Sequence, residues 1–443
     1  MGAPETAPKS KKKSTTLRRL FDLDPNPIPL PLPLPRPPQS ETEPEPEPEP
    51  ESATSVLLSL ISSSSDPFSA QEAKRQTISQ LLSTLRLCKK PLPDHLVPPL
   101  LSLFSAQLFR PLPPQPDPLL LLLVDVDDYF PPPSFSPSWP HLTLIYDVLS
   151  ALLAIVDSKS LHSHITHSFL SNLTALFHSA DPRERHKLKS TYHQLYSQLT
   201  GERAFMRKSM RNALLEADRH CGLGVAELLE IWGSIINGFV VPLKEEHKSL
   251  LKRVLMPLHK SRGMPGFYKQ LCYCVFQFVE KEMELGEVVV EGMVKYWPVA
   301  NCHKEVLMIE ELEELVEVLD SHQFGKVAVR ICSRIANCMS SCNSQVAERA
   351  LYVWSNEQFV EMASGVMDQI LPTIVEAIEN NLSSHWSKSI HHLTTSVKKL
   401  LEEMEPTLYS RCLEEIKNQE PIARKEEIKR RAMWEMVEMA GRL

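Results

Sequence analysis

Residues 140–157 read PHLTLIYDVLSALLAIVD, and this stretch shows the pattern that decides the fold. Its apolar residues recur at steps of three and four, as Leu144, Val148, Leu152 and Ile155 illustrate. Such spacing places apolar side chains on one face of an α-helix that is turned toward a core. The stretch is therefore predicted to be a helix packed against other elements.

The same spacing recurs from about residue 54 onward, for example at Ile78, Leu81 and Leu85. Hardly any two-residue alternation, the pattern of a strand, is present. Breaks at glycine and proline fall about every 20 residues, so helix pairs repeat about every 40 residues. The sequence predicts an all-α fold, a curved α-solenoid of degenerate HEAT-like helix pairs. The predicted helices span 94–109, 140–157, 160–179, 183–200, 203–219, 224–241, 244–260, 265–284, 286–297, 303–319, 323–340, 344–361, 366–380, 384–403 and 406–440.

The first 52 residues follow a different pattern. The chain has 37 prolines and only 13 glycines, and most of the prolines lie before residue 150. Glutamate and proline alternate over 43–50, which combines like-charge repulsion with a backbone poor in hydrogen-bond donors. We predict a disordered low-complexity arm at 1–52 and a pseudo-HEAT repeat domain at 53–440. A lysine run at 9–13 fits either a nuclear address or a solvated tail, and Gly2 formally fits a myristoylation pattern.

Charge and cysteine content narrow the class of protein. With 48 basic and 55 acidic residues the net charge is −7, so no basic excess favours binding to nucleic acid. Nine cysteines, an odd number scattered over a long chain, indicate reduced thiols inside the cell. No apolar run approaches the ~20 residues of a transmembrane helix. The expected location is the cytoplasm, with the nucleus as a second location.

Motifs for catalysis and for cofactor binding are missing from the sequence. Gly222-Leu223-Gly224 lacks the third glycine of a dinucleotide-binding loop. Cys272 and Cys274 would lie on nearly opposite sides of a helix, and Cys338 with Cys342 has no nearby histidine pair at zinc-ligand spacing. All four are predicted to be small buried residues. We therefore expect no catalytic residue, no metal and no cofactor. Because a solenoid normally acts through an extended surface, binding is the favoured activity.

A run of glutamates on one predicted helix has two interpretations. Its members are Glu310, Glu311, Glu313, Glu314 and Glu317. Such a run usually marks a solvated face, and that is the prediction made for it. An acidic binding face is the alternative.

Several longer motifs resemble one known family. Residues 224–239 read GVAELLEIWGSIINGF and 241–248 read VPLKEEHK, and both are similar to the B′ regulatory subunit family of protein phosphatase 2A. SWPHL at 138–142, YWP at 296–298 and QVAERAL at 345–351 fit the same family. The resemblance runs from about 54 to 440, and the chain resembles a divergent, plant-like member.

The resemblance implies a fold and a function. Members of the family are curved stacks of pseudo-HEAT helix pairs, and they are noncatalytic. They bind the scaffold (A) and catalytic (C) subunits of the phosphatase and target substrates in signal transduction by docking a short motif of the form LxxIxE. The same function is expected here. The alternative is a HEAT-like adaptor or transport receptor unrelated to the phosphatase.

Position by position, the resemblance also implies a peptide-binding site. Its apolar slot corresponds to His193, Tyr196, Ile231 and Ile235. Its cationic side corresponds to Arg203, Lys244 and His247. Within each of the pairs His193–Tyr196, Ile231–Ile235 and Lys244–His247 the spacing is three or four residues, which places both members on one helix face where the segment is helical.

Three features depart from the family pattern. Gln194 stands where an arginine is usual, which removes a cation and is expected to weaken any preference for a phosphorylated motif. The segment between Asn212 and Gly224 is slightly short, so the helix that leads into it is expected to end early. Trp232 occupies a position that is usually aliphatic and is expected to lie in the core.

Overall fold

The computed structural model describes residues 50–65, 71–88, 92–113 and 135–440. Residues 1–49 of the predicted arm lie outside this range, and a helix begins at Pro50, within the last residues of that arm. Every regular element in the described residues is helical, and they contain no strand. The all-α prediction is therefore confirmed. By compactness the chain divides into residues 1–55 and 56–443, and the second unit contains the stack of helices.

The helices, numbered here in chain order, are mostly one to five turns long. They are α1 Pro50–Ser65, α2 Gln71–Leu87, α3 Val97–Leu108, α4 Trp139–Ile155, α5 Ser158–His164, α6 His167–Ala175, α7 Pro182–Gln198, α8 Arg203–Leu215, α9 Val225–Asn237, α10 Glu245–Leu250, α11 Met256–Leu258, α12 Met264–Lys281, α13 Leu285–Lys295, α14 Cys302–Val318, α15 Ser321–Met339, α16 Ser344–Tyr352, α17 Glu357–Ser364, α18 Met367–Ser384, α19 Lys388–Met404 and α20 Pro406–Ala440. A π-helical turn, Leu251–Leu255, joins α10 to α11.

The helices stack in two layers. In one layer each helix packs on the next in the order α2, α4, α7, α9, α12, α14, α16, α19. In the other the order is α6, α8, the π-helical turn, α13, α15, α18, α20. Each layer thus takes roughly every second helix of the chain, which is the arrangement of a helical-repeat solenoid. The predicted solenoid is confirmed.

Apolar periodicity locates the core, with a small shift in α4. Val148 and Leu152 are fully buried as predicted, but Leu144 and Ile155 are partly exposed. Ile145 and Leu149 are fully buried in their place. The buried face is therefore rotated by about one residue from the predicted stripe, because both sets of leucines and isoleucines satisfy the same period.

Two predicted helices are divided by capping residues. The helix expected at 160–179 is interrupted where the Thr166 hydroxyl accepts from the Phe169 N–H at 3.2 Å and starts α6. The helix expected at 344–361 is interrupted in the same way by Asn356, whose Oδ1 accepts from the Phe359 N–H at 3.2 Å and starts α17. A side-chain acceptor at the N-cap satisfies amides that would otherwise need a preceding turn of helix.

A left-handed turn separates α8 from α9. Helix α8 ends at Leu215 instead of the predicted 219, as expected from the short segment before Gly224. Cys221, Gly222 and Gly224 then take positive φ values of 53°, 74° and 75°. A Cβ atom at Gly224 would lie 2.2 Å from the Phe177 carbonyl oxygen, so only glycine fits. This turn fixes where α9 starts.

The cysteine predictions are mostly confirmed. All nine cysteines lie in the described residues and are free. Cys272, Cys274 and Cys338 are buried as predicted, whereas Cys342 is exposed because it lies in the turn between α15 and α16. No helix in the described ranges has the length and apolar character needed to cross a bilayer.

Candidate functional site

A cavity of about 600 Å³ lies among α7, α8, α9 and the loop that leads to α10. We call it the groove. Six of the seven residues predicted for the peptide site line the groove. They are His193, Tyr196, Arg203, Ile235, Lys244 and His247. The groove thus combines an apolar wall from α9 with polar and cationic groups from the neighbouring elements. Ile231, one turn before Ile235, is buried and does not line it.

Arg203, the first residue of α8, is held in place by hydrogen bonds to the end of α7. Its Nε donates to the Tyr196 carbonyl at 2.9 Å, and its Nη2 donates to the Ser197 carbonyl at 2.9 Å. The guanidinium also lies 5.3 Å from the centre of the Tyr196 ring. Two roles therefore meet in one side chain: it caps carbonyls that α7 leaves open, and it brings a positive charge to the groove wall.

Arg207, one turn further along α8, is a groove residue that the sequence did not single out. Its Nη1 donates to the Tyr196 hydroxyl at 3.2 Å, and its Nη2 lies 3.9 Å from a Glu246 carboxylate oxygen. Its four-residue distance from Arg203 places it on the same helix face, which is the signal that could have identified it. Tyr196 is thereby held between two arginines.

The loop at 238–244 is anchored by the end of α12. Lys281 Nζ donates to the Asn237 and Phe239 carbonyls, each at 2.9 Å, and the Leu243 N–H donates to Glu282 at 2.5 Å. These bonds hold the loop whose exposed valines, together with Phe239, form one side of the groove. Lys244 follows as the N-cap of α10, with extended backbone, and its carbonyl accepts from the His247 N–H at 2.9 Å. The predicted condition of a shared helical face is therefore not met at Lys244, but both side chains line the groove.

Both groove histidines have a lowered pKa. Partial burial lowers the pKa of His193 below its usual 6.5. Burial also lowers the pKa of His247, with Arg207 and Lys244 contributing and Glu246 opposing. The His247 ring stacks on the Phe239 ring, with 3.6 Å between the two ring centres. At pH 7 the two imidazoles are therefore mostly neutral, and the fixed positive charges of the groove are Arg203, Arg207 and Lys244.

The structure also locates Gln194 and Trp232, the two single residues that depart from the family pattern. Gln194 does not line the groove; its Oε1 accepts from the Ser150 hydroxyl of α4 at 3.3 Å. Trp232 is 3% exposed, which confirms that it lies in the core. Its Nε1 has no hydrogen-bond partner among the described residues.

The glutamate run on α14 is not the solvated face that was predicted. Glu311 is fully buried, and its carboxylate oxygens lie 3.0 and 3.1 Å from His259 Nε2. Glu313 accepts from Asn356 Nδ2 at 2.8 Å and pairs with Arg349. Within this run only Glu317 is exposed. The prediction was wrong because the run's partners come from neighbouring helices of the stack, which a local pattern does not show.

Among the described residues, no group of three or more histidines, cysteines and acids could hold a metal ion. The fold and the groove together define a helical-repeat protein that carries a mixed apolar and cationic surface cavity.

Comparison with known proteins identifies the family. The sequence pattern of the protein phosphatase 2A regulatory B subunit (B56 family) matches residues 53–440. The B′ beta isoform of the 57 kDa phosphatase 2A regulatory subunit from Arabidopsis thaliana is 38% identical over 383 residues, covering 84% of this chain and 75% of the relative. The 57 kDa B′ kappa isoform from Oryza sativa subsp. japonica is 38% identical over 377 residues, covering 84% and 73%. The delta 1 isoform of the 56 kDa regulatory subunit from Schizosaccharomyces pombe is 39% identical over 375 residues, covering 83% and 67%.

The chain belongs to the B56 family. It is a noncatalytic regulatory subunit of protein phosphatase 2A. The suspected resemblance is thereby confirmed.

Proposed function

We propose that this protein binds the scaffold and catalytic subunits of phosphatase 2A and selects substrates by docking an LxxIxE-type peptide in the groove. The observation that carries the proposal is the meeting, in one cavity of about 600 Å³, of Ile235 and Phe239 with three fixed cations. A docked motif needs apolar slots for its Leu and Ile and a cation for its Glu. The groove has groups of both kinds.

Lys244 is the most suitable cation for the motif's glutamate. It is exposed, lines the groove, and has no ion pair with any described residue. Arg203 already donates two hydrogen bonds to carbonyls of α7, so its replacement would disturb the helix end as well as the charge. Lys244 therefore allows a cleaner test than Arg203.

The test is the affinity of a synthetic LxxIxE peptide for the purified full chain. Lys244→Glu is expected to weaken binding by at least about tenfold, since it replaces attraction by repulsion at the peptide's carboxylate. Arg203→Glu is expected to abolish binding, and circular dichroism checks that helicity is retained. The matched control is Lys252→Glu, at an exposed lysine that does not line the groove. Equal affinities of the Lys244→Glu and Lys252→Glu variants would refute the assigned site.

Assembly is tested separately. The tagged chain is expected to co-purify with a scaffold and a catalytic subunit of phosphatase 2A, and absence of both from native pull-downs would reject that part of the proposal. The proposed location, cytoplasm and nucleus, is checked by microscopy of the tagged chain.

A further inference from the structure

The last part of α20 exposes large apolar side chains. Near its start the helix is packed in the stack, where Tyr409 and Cys412 are buried. From Glu426 to Met439 every described side chain is exposed. Six large apolar side chains of this stretch are each between 59% and 68% exposed, namely those of Ile428, Met433, Trp434, Met436, Val437 and Met439. A cluster of exposed apolar side chains on a folded chain marks an interaction surface.

Four of these side chains form one face of the helix. At about 100° per residue they lie within an arc of about 140°. In order around the helix they are Ile428, Met439, Met436 and Met433, and we call them the terminal face. Val437 adjoins this arc, and Trp434 lies about 100° beyond it. The arc has the width of a helix face that packs against a neighbouring element.

The charges of this stretch argue against an anionic partner. Residues 426–439 contain three basic and four acidic residues, so they carry no basic excess. Nucleic acid and anionic membranes are bound through such an excess. A partner that is itself apolar and nearly neutral fits the terminal face better.

One edge of the terminal face is self-complementary in charge. Arg431 and Glu435 lie on the same side of the helix, where Arg431 Nε and Glu435 Oε1 are 3.9 Å apart. They flank Ile428, about 60° and about 20° outside the arc. Each is two residues from Met433 in sequence. A second copy that lies antiparallel, with Met433 opposite Met433, therefore places each Arg431 level with Glu435 of the other copy.

We propose that the terminal faces of two copies of this chain pack antiparallel and form a homodimer. In this register the apolar side chains of the two helices alternate along the contact, and Ile428 of each copy lies next to Met439 of the other. Two Arg431–Glu435 pairs flank these contacts. A parallel pair would instead place like charges side by side, which opposes association. The dimer goes beyond the proposed function and does not depend on the groove, which is built from α7, α8 and α9.

The experiment is sedimentation of the purified full chain over a series of concentrations, with a concentration-dependent dimer as the expected result. Met433→Glu places two like charges opposite each other and removes an apolar contact, so it is expected to weaken the dimer at least about tenfold. The matched control is Val329→Glu, at an exposed apolar residue of α15, and it is expected to change dimer affinity less than twofold. Circular dichroism checks that both variants keep their helicity.

Charge reversal tests the antiparallel register. Arg431→Glu and Glu435→Arg each place like charges together at both ends of the contact, so each is expected to weaken the dimer about fivefold. The double variant exchanges the two charges and is expected to restore the affinity to within about twofold of the natural chain. A double variant no better than the single ones would refute this register.

Two further results would overturn the proposal itself. One is a chain that stays monomeric at every concentration, and the other is a dimer that Met433→Glu leaves unchanged. A monomer that sediments with vesicles containing phosphatidylserine, and loses them on Met433→Glu, would assign the terminal face to a membrane instead.

Discussion

The groove can be compared with a buried cluster at the junction of α11, α12 and α14. The cluster consists of His259, Ser261, Lys304 and Glu311, and like the groove it brings a histidine together with charged side chains. In the cluster every member is paired internally: His259 Nε2 meets Glu311 at 3.0 Å, and Lys304 Nζ donates to the Ser261 carbonyl at 2.9 Å. In the groove, Lys244 has no ion pair among the described residues. A buried charge must be paired within the chain, whereas a surface cation remains available to a partner. The cluster charges are therefore structural, and Lys244 is free to bind.

The two histidines show the same contrast in their pKa. Burial lowers the pKa of His259, but the adjacent Glu311 carboxylate raises it more, and the net direction is upward. For His247 burial again dominates and Glu246 only opposes it, so the net direction is downward. In the cluster the buried carboxylate thus favours the protonated imidazole, whereas in the groove burial favours the neutral one.

The largest effect is expected from breaking the cluster. Glu311→Ala leaves His259 buried without its carboxylate partner and is expected to lower the free energy of unfolding by about 3–5 kcal/mol. Chemical denaturation of the full chain measures it. Glu317→Ala, on the same helix but exposed, is the control and is expected to cost less than about 1 kcal/mol. Similar losses in the two variants would show that the cluster contributes no more than a surface acid.

A second prediction concerns pH. Burial, followed by the neighbouring Glu311 and Glu317, raises the pKa of Glu314 to about 7 from an ordinary 4.5. Between pH 5 and 7 the folded chain therefore holds a proton that the unfolded chain has released, so this group's contribution to stability falls as pH rises. Glu314→Gln cannot titrate, and it is expected to be more stable than the natural chain by about 1 kcal/mol at pH 8.

Thermal unfolding of both proteins between pH 5 and pH 8 checks this. The advantage of Glu314→Gln is expected to shrink toward pH 5, where Glu314 is protonated in the folded chain. An advantage that is constant over this range would mean that the effect is not one of ionisation.

The sequence predicted the fold class and the positions of the helices better than the local interruptions and contacts. Apolar periodicity indicated most helices to within a few residues, because burial of one face is a repeated, local signal. It missed the interruptions at Thr166 and Asn356, since a cap depends on one side-chain hydrogen bond. It also misjudged Glu311, whose partner His259 lies 52 residues away in the chain.

The groove shows the same limit. Family resemblance selected residues that the structure brings into one cavity, but it could not show that Ile231 turns away from it. Two residues four apart lie about 40° apart around a helix, and the packing of α9 against α12 decides which one reaches the surface. Phe239 was visible only as part of a motif, and its role became clear from its stacking on His247.

The smallest effect is expected at Gln194, beside the groove. Its side chain accepts a hydrogen bond from the Ser150 hydroxyl on α4. Because glutamine is neutral, the position brings no charge to the neighbourhood of His193. Gln194→Arg gives up that bond and places a guanidinium at the rim, which is expected to raise affinity about threefold for an LxxIxE peptide phosphorylated within the motif. Affinity for the unphosphorylated peptide is expected to stay the same, since no new partner is offered to it. An equal gain for both peptides would point to nonspecific charge attraction, and no gain for either would place residue 194 out of reach of the docked peptide.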